Sequence, residues 1–202
     1  MMVVDMKLIL GVATNDAPYQ VIKRLDGKVV FRCPYYRKWT AILVRAYSDY
    51  YHIRRPTYSD VTLCDEWLLF SNFKSWMESQ QWEGMVLDKD IIAPGNKVYS
   101  PDNCVFVTVA INSLLPNSAA VRGDLPVGIT FANEGKAFRA RVCDGDSKRI
   151  DLGCFASLDD AVQAYNKAKS DIILQIASEQ TDERIINGLK LHAQLYLNGE
   201  VK

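Results

Sequence analysis

The chain has 202 residues, 49% hydrophobic and 24% charged, with 24 Lys and Arg balanced by 24 Asp and Glu. That composition belongs to a globular chain with one or two real cores and excludes a disordered or fibrous one. The zero net charge excludes attraction to nucleic acid or a membrane surface by overall charge alone.

Residues 1–20 are apolar, but Asp5 interrupts them; they lack a basic start and a clear cleavage site and do not read as a signal peptide. No apolar run reaches the roughly 18 residues of a membrane span, which predicts a chain with no membrane partner. From 21 to 33 the apolar residues alternate on both sides of Asp26-Gly27, a favoured hairpin turn pair. Trp39, Ile42, Leu43, Ala46 and Tyr47 recur at helical spacing and predict an amphipathic helix over 37–50. Residues 52–64 hold a proline and small polar residues and read as a loop with a short strand. A second helix follows from 65, with Asp65 as its N-cap. Its stripe of Trp67, Phe70, Phe73, Trp76 and Met77 reads as core. Residues 117–126, small and polar with Gly and Pro, read as a linker. Beyond it, three strands are separated by turn signals at Asn133-Glu134-Gly135 and Asp144-Gly145-Asp146. A long helix then begins at Ser157, where Ser157 and Asp160 form a capping-box-like pair. Ala161, Ala164, Tyr165, Ala168, Ile172 and Ile176 are its expected buried face. Residues 182–197 predict a short C-terminal helix. The domains expected are 1–116 and 127–202, joined by 117–126.

Charge is unevenly distributed. Residues 21–60 hold nine Lys or Arg against three Asp, a net of +6, and residues 61–90 hold two Lys against six acids, a net of −4. Two readings stand side by side: a phosphate-facing surface beside a metal-binding pocket, or complementary halves of one domain. The five cysteines, 33, 64, 104, 143 and 154, contain no Cys-x-x-Cys pair. This points away from a zinc ribbon or a disulfide framework and towards reduced thiols in a cytoplasm.

The stretch 84–115 contains "LDKD", then "APGNKVYSPDNC", then "CVFVT" and "VAINSLL". It resembles the HNH nuclease motif, a two-stranded hairpin and a helix wrapped round one divalent ion. With "GVATNDAPY", "CPYYRKW", "RPTYSD" and "EWLLFSNFKSWM", residues 10–115 resemble the phage HNH homing endonuclease-like proteins. The resemblance implies an HNH-like ββα-metal domain. Asp88 and Asn112 would hold Mg²⁺ or Mn²⁺, Asn103 would order the loop, and the metal would neutralise charge on the scissile phosphate. The motif's histidine is replaced by Lys89. A lysine ordinarily keeps its proton at neutral pH, with a pKa of about 10.4, so it is a poor general base; it can instead bind the phosphate. His52 is the other histidine within possible reach, against the bland reading of a loop residue, and His192 lies in the C-terminal helix. Arg37, Lys38, Arg45, Arg54 and Arg55 would grip the DNA backbone.

Residues 127–176 carry "GITF", "KAFRARV" and "IDLGCFASLDDAVQAYNKAK". They resemble the plant ethylene-response-factor-type (Apetala) DNA-binding domain, a three-stranded antiparallel sheet packed on one helix. In that family the sheet enters the major groove of double-stranded DNA. Alternation places Arg139 and Arg141 on one strand face, with Lys148 and Arg149 extending it. Residues 117–150 have six basic against four acidic side chains, a net of only +2.

The expected class is therefore α+β, and the expected function is metal-dependent hydrolysis of DNA by a homing-type phage endonuclease in the host cytoplasm. The alternative is an inactive HNH-derived DNA-binding protein that regulates DNA or inhibits a host defence system through a host protein target. A homodimer is compatible with either.

Overall fold

The computed structural model describes residues 8–115, 125–145 and 148–201. Among the described residues it is a mixed α+β fold of small sheets and six α-helices. The chain divides into two compact units, residues 1–90 with 95–106, and residues 91–94 with 107–202. The expected linker at 117–126 lies outside the described residues except for its last two, as does Asp146 of one expected turn.

In the first unit the hairpin forms between β1 (Ile22–Leu25) and β2 (Lys28–Arg32). Asp26 and Gly27 both adopt positive φ, 48° and 76°, as a two-residue type I′ turn requires. Helix α1 (Pro34–Tyr47) starts three residues earlier than expected because Pro34, with no N–H to satisfy, opens it at the first turn. It also stops earlier. Ser48 ends α1 and caps α2 (Asp49–Arg54) by accepting from Tyr51 N at 3.4 Å, so the expected loop after residue 52 begins as helix. A short strand, β3 (Thr62–Leu63), runs parallel to β5 (Val98–Tyr99). The second expected helix is split: a 3-10 turn over Asp65–Leu68 precedes α3 (Phe70–Glu78). Asp65 is not its cap. The first turn of α3 is satisfied from far away in sequence, by Asp16 Oδ1 accepting from Ser71 N at 2.9 Å and Thr14 O from Phe70 N at 3.0 Å.

The aromatic stripe is core. Trp39, Trp67, Phe70, Phe73 and Met77 are buried together, and Trp39 Nε1 donates to Trp67 O at 2.6 Å, which satisfies the indole where water cannot reach. Strand β4 (Val86–Asp88) pairs with β6 (Val105–Val107).

In the second unit, α4 (Val109–Leu114) is capped by Thr108 Oγ1, which accepts from Ile111 N at 3.2 Å. Strands β7 (Ile129–Ala132), β8 (Ala137–Cys143) and β9 (Arg149–Phe155) form an antiparallel sheet in that order. Helix α5 (Leu158–Ser178) packs on the sheet, and α6 (Glu183–Leu197) packs on α5. Ser157 caps α5 as expected, accepting from Asp160 N at 3.0 Å.

The buried face of α5 differs from the expected one. It runs through Ala161, Tyr165, Lys169, Ile173 and Ala177 at four-residue spacing, whereas Ala164, Ala168, Ile172 and Ile176 are half-buried on its flank. Two elements, the sheet and α6, cover this helix, so its apolar stripe is wider than one face and its centre falls on a lysine. No helix among the described residues is long and apolar enough to cross a membrane.

Candidate functional site

The loop that follows β4 is ordered by its own polar groups. Asp88 Oδ1 accepts from Asp90 N at 2.7 Å, closing a tight Asx turn. Lys89 is only 7% exposed. Its ammonium donates to the Asn96 carbonyl at 2.6 Å and to Asp90 Oδ1 at 2.7 Å. Asn96 in turn donates to the carbonyls of Lys89 and Val98 at 3.0 and 2.8 Å, and accepts from Val98 N at 3.0 Å. Asn103 Nδ2 reaches Asn96 Oδ1 at 3.3 Å, while its own N–H donates to Ser100 Oγ at 3.2 Å. Asn96, which the sequence reading did not single out, is thus the hub of the loop, and Asn103 is one of its supports. Only the geometry reveals this, because a loop asparagine carries no periodic signal.

Chemically, this arrangement uses lysine as a donor. Two of the three ammonium protons serve a carbonyl and a carboxylate at short distance, and a base needs a free lone pair. Asp88 and Asn103 belong to the first unit and Asn112, exposed on α4, to the second. Among the described residues no three His, Cys, Asp or Glu side chains gather in a way that can hold a metal ion. The charged group between Asp88 and Asp90 is an ammonium already bound to Asp90.

His52 lies on α2, half-buried, with Nε2 2.9 Å from Arg45 O. A carbonyl only accepts, so Nε2 donates there, leaving Nδ1 as the one ring nitrogen of the neutral form that accepts. The basic residues of the first unit separate into two kinds. Arg37, Arg54 and Arg55 are exposed. Lys38 and Arg45 are half-buried and internally engaged. Lys38 Nζ donates to Met85 O at 2.6 Å and lies 5.7 Å from the centre of the Phe106 ring; burial, then Arg37 and Arg45, lowers its pKa. The Arg45 guanidinium donates to Tyr99 Oη at 3.4 Å. Burial works against its charge, but Tyr99, Tyr58 and Tyr51 more than compensate and its pKa is raised.

In the second unit the register fixes what each face of the sheet presents. Ala140 pairs with Ile129 and Gly153, and Val142 with Ile150; Ala140, Val142 and Ile129 are buried. Arg139 pairs with Thr130 and Cys154, and Arg141 with Asp151, on the opposite face. A β-bulge between Ala140 and Arg141 shifts the register, and Gly153 accommodates it with φ 106°, a conformation glycine adopts without strain. The bulge sets Asp151 Oδ2 between the two arginines, 3.7 Å from Arg139 Nε and 3.6 Å from Arg141 Nε. The Gly153 N–H, then the two arginines, hold the Asp151 carboxyl below its ordinary pKa. Both arginine side chains are 41% exposed, and Lys148 and Arg149 are exposed beside them. The structure therefore brings Arg139 and Arg141 together as alternation predicts and adds Asp151, which alternation alone does not place opposite Arg141, because the bulge shifts the pairing. Phe131, 63% exposed, stands against Phe138 with ring centres 5.6 Å apart.

Comparison with protein-family models, curated proteins and solved structures gave no match.

Proposed function

We propose that the protein binds double-stranded DNA through the Arg139–Arg141 face of β7–β9 and that its HNH-like loop, an inherited frame, binds without cutting. The observation that carries this reading is the pair Arg139 and Arg141, held side by side by Asp151 on the sheet face opposite the buried Ala140 and Val142. Fork-shaped guanidiniums at adjacent positions of one strand suit guanine edges and phosphates, and the exposed Lys148 and Arg149 suit phosphate alone.

The loop around Lys89 supports the second half of the reading. An ammonium tied to Asn96 and Asp90 is neither a base nor an open metal site, so no hydrolytic step runs through it. A chain of this kind acts by occupancy, as a regulator does, on DNA in the cytoplasm of a phage-infected host.

Fluorescence anisotropy on a short labelled duplex tests the binding. The reading expects a clear loss of affinity in Arg139→Ala/Arg141→Ala. A supercoiled plasmid incubated with Mg²⁺ or Mn²⁺ tests the chemistry: it should stay intact. Nicking that disappears in Asp88→Ala would restore the endonuclease reading.

A further inference from the structure

The second unit contains a cavity of about 390 Å³, within the range of small-molecule sites. Its apolar wall includes Leu114 and Ile129 and the rings of Tyr165 and Tyr196, whose centres are 6.3 Å apart at 61°. Three of its lining residues are cationic, Arg141, Arg149 and Lys169, and no described lining residue is acidic.

Lys169 is the unusual member. It is 3% exposed, on the buried face of a helix where an apolar residue is ordinary. Among the described residues its ammonium makes one hydrogen bond, to Cys143 O at 3.2 Å, although it has three protons to give. Burial lowers its pKa, against the opposing pull of Cys143 and Asp144. A buried cation with so few acceptors is costly, and one that lines a cavity can be satisfied by an anion placed there.

We propose that this cavity binds a small aromatic phosphate monoester. The phosphate meets Lys169, Arg141 and Arg149, and the ring lies against Tyr165, Tyr196 and the aliphatic wall. Three lining cations, of which Arg141 also faces Asp151 at 3.6 Å, favour a dianion over a carboxylate, and the tyrosine rings favour a flat body. The inference shares Arg141 and Arg149 with the DNA reading but rests on the cavity and on Lys169, which that reading does not use; titration with small ligands in the absence of DNA keeps the two tests apart.

Calorimetric and NMR titrations of the full chain with phenyl phosphate, inorganic phosphate, benzoate and phenol test it. Phenyl phosphate should bind at least about tenfold more tightly than each of the other three, since only it engages both halves of the site. Amide shifts should move at Gly128, Tyr165 and Lys169. Lys169→Met and Arg149→Gln should each weaken binding by about fivefold or more. Arg149 is exposed at a strand end, so its variant keeps the test decisive even where Lys169→Met fails to fold. Phenyl phosphate no tighter than inorganic phosphate overturns the proposal, as does unchanged affinity in Arg149→Gln. Benzoate binding equal to phenyl phosphate overturns the phosphate assignment.

Discussion

Among the described residues two lysines are taken out of water, one in each unit, Lys89 at 7% and Lys169 at 3% exposure, and the fold treats them oppositely. Lys89 meets a carboxylate at 2.7 Å and a carbonyl at 2.6 Å, and its own carbonyl accepts from Asn96. Lys169 has one carbonyl at 3.2 Å and an adjoining cavity. A buried charge held by a carboxylate and a carbonyl is part of its loop; one held by a single carbonyl beside a cavity is a place for something else. The residue that sequence resemblance puts in the position of the motif's histidine is the one held on both sides within its loop. The residue that periodicity misses is the one with spare capacity.

The largest way to break this contrast is to remove the cavity's wall. Gly128 has φ +77° and packs so closely under the Tyr165 ring that a Cβ there would overlap it and stand 2.6 Å from Arg141 O. Gly128→Ala should destabilise the second unit by about 3 kcal/mol or more, from overpacking and backbone strain together. Chemical denaturation followed by far-UV circular dichroism measures it.

Lys89→Met comes next. It strips the Asn96 carbonyl of its lysine donor and removes one ion-pair partner of Asp90, whose side chain is 48% exposed. A loss of about 2 kcal/mol is expected, mostly from the carbonyl. A change near zero would mean that the lysine does not hold the loop.

Lys169→Met should fall within about 1 kcal/mol of wild type at neutral pH, because losing one hydrogen bond is offset by burying no charge. Its signature is in pH. The folded-state pKa of Lys169 is lowered by burial from the ordinary 10.5. The unfolded chain therefore binds more protons between that lowered value and 10.5, and stability rises with pH across the window. Below the window the burial penalty is fully present, and above it the penalty is gone. The wild type should gain stability relative to Lys169→Met as pH climbs towards 10.5; parallel curves would show that the ammonium is met as well as that of Lys89.

The smallest effect on the fold is expected from Asp151→Asn. Its ion pairs are long and exposed, so stability should be nearly unchanged. Removing this carboxylate frees the arginines for phosphate, and the salt dependence of DNA binding should steepen by about 0.9 in log–log slope.

Local signals in the sequence were legible. Asp26-Gly27 marks its hairpin, Ser157 its helix start, and the aromatic stripe from Trp67 to Met77 its core, because each depends on neighbours within a few residues. Alternation placed Arg139 and Arg141 on one face for the same reason. What was not legible depends on distance along the chain. Asp16 caps a helix 55 residues away, so Asp65 looked like the cap. Helix α6 widens the buried side of α5, so Lys169 turns inward. Asn96 reaches back seven residues to the Lys89 carbonyl, so the hydrogen bonds that hold the lysine in its loop are not legible from its neighbours.

The most direct measurement of the central claim is the salt dependence of duplex binding for wild type and Arg139→Ala/Arg141→Ala. Two lost phosphate-neutralising cations should make the log–log slope about 1.8 units shallower, with weaker affinity at every salt concentration. Equal slopes and equal affinities would contradict DNA binding by this sheet.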